Sequence, residues 1–204
     1  MSVLCIVQAR LKSTRIENKM LLKLGGETLI ARAWRVACEA FGAECCVVAI
    51  PTGDWNGPLG EELRRIGASV YLCNKDENDV VWRFYMACID WMMRTCVKDT
   101  PLCVRYTPDD YRKSAEALRQ TADGHVLPIE IGGEAFSFRD LLTAQITAKG
   151  EREHVTYAIA GARRLLGEVP IRHPAPPNDG LPWTIDTPEQ YAAACARYER
   201  ERVG

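Results

Sequence analysis

The chain has 204 residues, of which 47% are hydrophobic and 26% are charged, and its formal net charge is −1. This size and composition predict one globular domain with a full core. A charge so close to zero provides no overall field that would attract nucleic acid or an anionic membrane, so we expect neither as a partner. No apolar stretch approaches the length of a membrane span, and the first residues lack the pattern of a signal peptide. We therefore expect a soluble, cytoplasmic protein.

The first half of the chain alternates between strand and helix patterns. An unbroken apolar run predicts a strand at residues 3–7, and largely apolar runs predict strands at residues 45–50, 69–73 and 102–106. Helical spacing of apolar residues predicts helices after Thr28, at residues 59–66 and at residues 81–92. This order predicts an α/β fold with three layers, in which a mainly parallel, Rossmann-like nucleotide-binding sheet has helices on both faces.

The pattern is weaker after Asp110. A strand is predicted at residues 126–131, a capped helix start at Ser137, and a short strand at residues 183–186. The segment Thr187-Pro-Glu-Gln190 is a capping box with proline at the first helical position, and it predicts a final helix.

The nine cysteines are odd in number and include no C-x-x-C motif. Most of them lie in apolar runs such as residues 45–50. Because a buried free cysteine behaves as a small hydrophobic residue, we expect core packing rather than a disulfide framework or a zinc site.

The loop after the first predicted strand is strongly cationic. It carries two hydroxyl residues, Ser13 and Thr14, among four cations, which are Arg10, Lys12, Arg15 and Lys19. Ligands of open α/β sheets bind beyond the carboxyl ends of the strands, and arginine and lysine suit phosphate oxygens. The loop therefore predicts a polyphosphate site, although it lacks the glycine pattern of a Walker A loop. The alternative is a solvated turn, and Lys12 is the cation that fits this alternative best.

Three acidic residues, in two segments of the chain, could complete such a site. Asp109 and Asp110 follow the fourth predicted strand, and Asp186 begins the final helix. Carboxylates from separate strand ends beside a phosphate can hold Mg²⁺, together with water and substrate oxygens. Asp186 could instead only interact with the helix dipole.

Several segments, in matching order, resemble the sugar-activating cytidylyltransferases. The family includes the 3-deoxy-manno-octulosonate and acylneuraminate enzymes, and a branch of spore-coat polysaccharide biosynthesis cytidylyltransferases. The first segment, residues 3–19, contains Q-A-R-x-x-S-T-R-x-x-x-K. The others are residues 21–30, 78–84 (N-D-V-V-W-R-F), 134–138, 152–156 (R-E-H-V-T) and 183–189 (W-T-I-D-T-P-E).

The resemblance implies Mg²⁺-dependent transfer of CMP from CTP to an acidic acceptor, with release of pyrophosphate. It assigns catalysis to Arg10 and Lys19. Nucleotide binding falls to Gln8, Ala9, Ser13, Thr14 and Arg15, acceptor binding to Arg152 and His154, and Mg²⁺ binding to Asp109 and Asp186. The acceptor could be a ulosonic acid, a sugar phosphate or a phosphonate. His154 could instead serve only as a helix-start residue, and we expect Asp79 and Arg83 to form a structural ion pair or a cap.

Relatives often dimerise around the R-E-H-V-T segment, so the resemblance also implies a homodimer. We expect residues 1–204 to form one domain, with a nucleotide-binding half at residues 1–110 and an acceptor and dimerisation half at residues 111–204.

The chain departs from the family pattern at the site itself. Family members usually have L-P-G-K where this chain has Ile16-Glu-Asn-Lys19, so Asn18 replaces a glycine and Glu17 adds a negative charge. Pro108 replaces the glycine of the family's T-G-D motif. Three alternatives therefore stay open: another nucleotidyltransferase, a glycosyltransferase that uses a nucleotide-sugar, and a catalytically silent nucleotide-binding protein.

Overall fold

The computed structural model describes residues 3–12, 15–97, 102–106, 134–148, 150, 152–167 and 185–203. The strands are β1 (Val3–Gln8), β2 (Lys23–Leu24), β3 (Glu27–Thr28), β4 (Cys46–Pro51), β5 (Val70–Cys73), β6 (Leu102–Tyr106) and β7 (Glu134–Ser137). The α-helices are α1 (Leu29–Phe41), α2 (Pro58–Arg65), α3 (Val80–Thr95), α4 (Phe138–Thr147), α5 (Val155–Leu165) and α6 (Pro188–Val203). Short 3₁₀ turns lie at Lys19–Leu21, Ala43–Cys45 and Thr52–Asp54.

The main sheet has five strands in the order β5-β4-β1-β6-β7. Its first four strands are parallel, and β7 joins the edge antiparallel to β6. The four strands predicted in the first half of the chain are all present. The strand predicted at residues 126–131 lies outside the described residues, and the pattern did not predict β7.

Alternate side chains of β1 enter two different cores. Leu4 and Ile6 pack with α3, α4 and α5 on one face, whereas Cys5 and Val7 pack with α1 and α2 on the other. Because the strand is covered on both faces, its apolar run has no polar alternation. The three-layer α/β fold expected from the sequence is confirmed.

A third, smaller cluster attaches the last helix to the hairpin formed by β2 and β3. Leu24 and Leu29 pack there against Ile185 and Ala194. The hairpin turn lies directly beneath the ring of Tyr198, so that a side chain at Gly25, where φ is 64°, would overlap this ring. This cluster brings the beginning of α6 next to the segment that follows the cationic loop.

The predicted helix caps are confirmed. The hydroxyl of Thr28 accepts a hydrogen bond from the Ala31 N–H, and Ser137 forms a capping box with Asp140. At the start of α6, the Thr187 hydroxyl accepts from the Gln190 N–H, and the Gln190 side chain accepts in return from the Thr187 N–H.

The strand predicted at residues 183–186 is wrong for the two residues of it that the structure describes. Ile185 and Asp186 are irregular, because the Asp186 N–H donates to the Gln190 side chain rather than to a neighbouring strand. All nine cysteines are free thiols, and the buried ones are Cys5, Cys46, Cys73, Cys88 and Cys103. Within the described part of the chain, no helix combines the length and apolarity needed to cross a bilayer.

Candidate functional site

The backbone at the start of the cationic loop is held by two neighbouring strands, β1 and β4. Gln8 ends β1, and the N–H of the buried Ala9 donates to the Ala49 carbonyl of β4 at 3.4 Å. The Leu11 N–H then donates to the Asp54 carboxylate at 2.9 Å. Asp54 is itself buried in the turn that follows β4. The loop therefore leaves the sheet at its carboxyl edge, where ligands of this fold class bind.

The first two cations of the loop are bound by residues 74–78, which connect β5 to α3 and which we call the strap. Arg10 Nη1 donates to Asn78 Oδ1 at 2.8 Å. Lys12 Nζ lies 3.1 Å from Glu77 Oε2, but the Lys12 side chain is 76% exposed. Lys12 thus has the solvated position that the sequence suggested for it, whereas Arg10 is aligned by a specific partner.

The other two cations converge on Asp186. Arg15 Nη1 lies 2.9 Å from Asp186 Oδ2, and Lys19 Nζ lies 3.2 Å from Asp186 Oδ1. The Lys19 side chain is only 9% exposed, whereas that of Arg15 is 63% exposed. One carboxylate therefore holds two cations that come from the opposite end of the chain.

Packing next to these charged groups explains why they meet. Ile16, which follows Arg15, belongs to the same apolar cluster as Ile185, which precedes Asp186. The chain then turns at Asn18, whose φ of 51° and ψ of 32° are left-handed, before the 3₁₀ turn at Lys19–Leu21. Asparagine is one of the few residues besides glycine that adopts this conformation readily. Asn18 thus has the backbone conformation that a glycine at this position would adopt easily.

Arg152 donates hydrogen bonds to four other atoms of the protein. Its Nε donates to Asp79 Oδ1 at 2.8 Å, and its other guanidinium nitrogens donate to the Gln145 and Ala148 carbonyls and to the Gln145 side chain. Its own carbonyl accepts from the Val80 N–H at 3.0 Å. In this structure, Arg152 joins the start of α3 to the end of α4. Its contact with an acceptor stays a prediction.

His154 occupies the N-cap position of α5, but its side chain makes no capping hydrogen bond. The imidazole is exposed and meets the Tyr157 ring edge to face, with the ring centroids 5.6 Å apart. His154 thus has the position of a helix-start residue, but the side-chain bond expected of that alternative is not formed. Its exposed ring leaves a ligand role open to test.

Two residues that the sequence placed in a structural role support the strap. Asp79 caps α3 by accepting from the Trp82 N–H at 2.9 Å, which confirms the expected cap. Arg83 is fully buried and donates from Nη1 to the Glu77 carbonyl at 3.0 Å, while its Nε and Nη2 have no hydrogen-bond partner among the described residues. Burial lowers the pKa of Arg83 because the charged form loses solvation.

Sequence reasoning missed Asn78 and Asp54, both of which hold the cationic loop. Asp54 follows a strand at the same sheet edge as the loop, and this position was the signal that could have identified it. Asn78 directly precedes the N-cap of α3. Of the predicted site residues, Ser13, Thr14 and Asp109 lie outside the described residues, as does Asp110.

Of the two residues expected to bind Mg²⁺, only Asp186 lies within the described residues. No group of three or more histidine, cysteine, aspartate or glutamate residues forms a metal cluster within the part of the chain that the structure describes. Mg²⁺ is commonly bound by one or two carboxylates together with water and substrate phosphates, and does not require an all-protein cage. The Asp186 side chain is 23% exposed, and it lies beside an arginine and a lysine, Arg15 and Lys19. Both residue types suit phosphate oxygens, so Asp186 fits as one member of such a set.

Most of the chain is similar to known proteins. A profile of the cytidylyltransferase family matches residues 4–177. A 3-deoxy-manno-octulosonate cytidylyltransferase from Chlorobium phaeovibrioides is 40% identical over 72 residues, which are 35% of this chain and only 28% of that protein. An uncharacterized protein from Methanocaldococcus jannaschii is 28% identical over 200 residues, covering 92% of this chain and 79% of the relative.

Solved structures share the fold. A cytidylyltransferase from Leptospira borgpetersenii superposes with a TM-score of 0.72 at 20% identity, covering 94% of this chain and 84% of that one. A CMP:2-keto-3-deoxy-manno-octonic acid synthetase complexed with CTP gives a TM-score of 0.67 at 14% identity, covering 98% of this chain and 100% of that one. The family profile spans most of the sequence, from β1 to beyond α5. The chain therefore belongs to the cytidylyltransferase family.

Proposed function

We propose that this protein transfers CMP from CTP to an acidic sugar or a related acid, with Mg²⁺ as cofactor and pyrophosphate as the second product. The observation that carries the proposal is the convergence on Asp186 of Arg15 and Lys19, which belong to the loop that leaves the sheet at its carboxyl edge. Membership of the cytidylyltransferase family favours CTP as the donor.

The cations of the loop suit a reaction in which negative charge builds up on the leaving pyrophosphate. An acceptor oxygen would attack the α-phosphorus in line and form a new O–P bond. The bond from the α-phosphorus to the bridging oxygen would break, and its electron pair would leave with pyrophosphate. Arg10, Arg15 and Lys19 would stabilise the triphosphate and the leaving group, since cations held in place beforehand need little reorganisation during the reaction. No covalent intermediate on the protein is required.

The remaining contacts to CTP are proposed from the family pattern. Gln8 and Ala9 would lie beside the nucleobase, and Ser13 and Thr14 would donate to phosphate oxygens. Asp186, together with Asp109 or Asp110, would hold Mg²⁺. The chemistry that this ion supplies is neutralisation of phosphate charge and polarisation of the acceptor oxygen. Arg15 and Lys19 would then exchange the Asp186 carboxylate for phosphate oxygens.

The acceptor would bind near the start of α5. His154 is exposed there, and its imidazole could orient the attacking oxygen. The acceptor classes that fit a cationic site are a ulosonic acid, a sugar phosphate and a phosphonate. A role in polysaccharide biosynthesis follows if the acceptor is a sugar acid. Nine free thiols favour a reducing compartment such as the cytoplasm.

We also propose a homodimer that forms through α4 and α5. Large apolar side chains are exposed on these helices and on the residue after α5, namely Ile146, Tyr157, Leu165 and Leu166. Burial between two copies would remove this apolar surface from water. Sedimentation of the wild-type chain should show a dimer that L165E weakens. A wild-type monomer at all concentrations would contradict this assembly.

The activity is tested by pyrophosphate release from CTP across a panel of acidic acceptors. We expect release with CTP, and a thermal shift with CTP that ATP, GTP and UTP do not produce. A glycosyltransferase would instead respond to nucleotide-diphosphate sugars and release no pyrophosphate. Binding of CTP without turnover on any acceptor would favour the silent nucleotide-binding protein.

A further inference from the structure

We propose that Arg152 is a positioning residue of the nucleotide site, which acts through Asp79 and Asn78 on Arg10. This inference rests on the proposed function, because it assumes that Arg10 binds the nucleotide. The arginine of the R-E-H-V-T motif would then affect nucleotide binding, rather than acceptor binding as the resemblance implies.

The first step is the attachment of Arg152 to the start of α3. Its Nε donates to Asp79 Oδ1 at 2.8 Å, and its carbonyl accepts from the N–H groups of Val80 and Val81 at 3.0 and 3.2 Å. Arg152 thus satisfies backbone donors of the first turn of α3, which have no partner inside the helix. The side chain is only 21% exposed, so its hydrogen bonds are partly shielded from water.

The second step is the strap itself. The Asn78 N–H donates to the Asp76 side chain at 2.9 Å, and the Asp79 N–H donates to the Asp76 carbonyl at 3.0 Å. The strap therefore ends in a tight turn directly before the N-cap of α3. Any shift of Asp79 moves Asn78, which is its covalent neighbour in that turn.

The third step is the contact of the strap with the cationic loop. Asn78 Oδ1 accepts from Arg10 Nη1 at 2.8 Å, and this bond sets the direction of the Arg10 guanidinium. The buried Arg83 also donates to the Glu77 carbonyl of the strap. Arg83 therefore binds the strap directly, whereas Arg152, from the second half of the chain, acts on it through Asp79 and the start of α3.

The hydrogen bonds of Arg152 also argue against a direct contact with the acceptor in this conformation. The guanidinium donates to four acceptor atoms of Asp79, Gln145 and Ala148, and an acceptor carboxylate would have to displace one of them. A small misplacement of a positioned group can lower binding and turnover strongly. Loss of Arg152 should therefore weaken nucleotide binding, even when no acceptor is present.

The test measures CTP binding by calorimetry without acceptor for the wild type, R152Q and D79N. D79N keeps a good N-cap residue while removing the charge that pairs with Arg152. We expect both variants to bind CTP about tenfold more weakly, as for loss of an aligned charge-assisted hydrogen bond. In the N78A background, R152Q should cost less than about twofold further, because the route to Arg10 is already broken.

R163Q is the matched control. Arg163 binds Asp140 through Nε and Nη2 at 3.0 and 2.8 Å, and its side chain is 15% exposed. It is thus a similar arginine–aspartate pair between α4 and α5, but it has no described hydrogen bond to the start of α3 or to the strap. We expect R163Q to lower stability and to leave CTP affinity unchanged within about twofold, which is less than 0.5 kcal/mol.

Three outcomes would overturn the inference. The first is unchanged CTP affinity in D79N and R152Q, which would return Arg152 to the acceptor side and leave the proposed function intact. The second is an equal loss in R163Q, which would show general loosening of α4 and α5. The third is failure of the wild type to bind CTP, which would remove the proposed function as well.

Discussion

Lys19 Nζ and Asp186 Oδ1 lie 3.2 Å apart, although 167 residues separate them in the sequence. The lysine side chain is almost completely shielded from solvent, and this carboxylate compensates part of its charge. Asp186 also binds Arg15. An anion of the protein itself therefore lies next to these cations, at the place that a phosphate would need under the proposed function.

The first prediction concerns removal of this anion. D186N should lower the free energy of unfolding by about 1–3 kcal/mol, because the shielded Lys19 loses a carboxylate partner. Pyrophosphate release should fall by about 100-fold or more if Asp186 helps to hold Mg²⁺. Urea unfolding and a pyrophosphate assay measure the two effects. E77Q removes the carboxylate from the exposed pair with Lys12 and should change neither value. Turnover of D186N at the wild-type rate would contradict the metal assignment.

The second prediction concerns CTP binding by D186N in the absence of metal. In the presence of a chelator, CTP has to displace the Asp186 carboxylate from Arg15 and Lys19. D186N should therefore bind metal-free CTP more tightly than the wild type, by about threefold or more, because a neutral amide competes less well for cations. Calorimetry with CTP in chelator measures this difference. Weaker binding by D186N without metal would show that Asp186 does not compete with phosphate.

A third prediction separates the two lysines of the cationic loop. K19M should reduce pyrophosphate release by about 100-fold, since a shielded cation beside the triphosphate interacts strongly with developing charge. K12M should change it by less than about twofold, because Lys12 is 76% exposed and pairs only weakly with Glu77 at the surface. Initial rates with saturating CTP give both values. Equal losses in the two variants would mean that the loop acts only through its summed charge.

Sequence patterns predicted the fold well where one element can be judged by itself. The buried run of β1 and the caps at Thr28, Ser137 and Thr187 depend on local residues, and all are present. The pattern did not predict β7, because a short edge strand has few residues and its pairing with β6 depends on distant chain. It also missed the Asn78–Arg10 bond, since no local signal in either segment identifies its partner.

A fourth prediction follows from the Glu62 carboxylate. Hydrogen bonds from Arg65, at 2.6 and 2.8 Å, and from Thr28 lower the pKa of Glu62 from 4.5 to about 2. A lowered pKa in the folded state stabilises the protein above pH 4.5, and this contribution is lost as the pH falls from 4.5 towards 2. Because Arg65 is largely exposed, we expect the loss to be only about 1 kcal/mol.

Urea unfolding of the wild type and E62Q at pH 6 and pH 3 measures this contribution. The wild type should be the more stable protein at pH 6, and the difference should shrink at pH 3. A difference that stays constant between the two pH values would show that the Glu62 charge does not contribute to stability.

A fifth prediction compares two glycines in helices. A methyl group at Gly60 in α2 would overlap the Trp55 carbonyl oxygen, so G60A should destabilise the protein by about 3 kcal/mol. A methyl group at Gly161 in α5 would meet no atom within 4 Å among the described residues. G161A should therefore stabilise the protein by about 0.5–1 kcal/mol, through the higher helix propensity of alanine. Thermal unfolding of both variants measures whether each substitution raises or lowers stability. Destabilisation by G161A would contradict the open space at that position.

The packing of Tyr198 over the Gly25 turn, together with the position of Asp186 ahead of α6, also determines when the site can form during synthesis. The cationic loop leaves the ribosome early, but its counter-charge and the helix that clamps the hairpin are made more than 160 residues later. A nascent chain that stops before α6 would expose the loop without Asp186. Newly made protein should therefore gain Mg²⁺-dependent affinity for nucleotide only after translation has passed this helix.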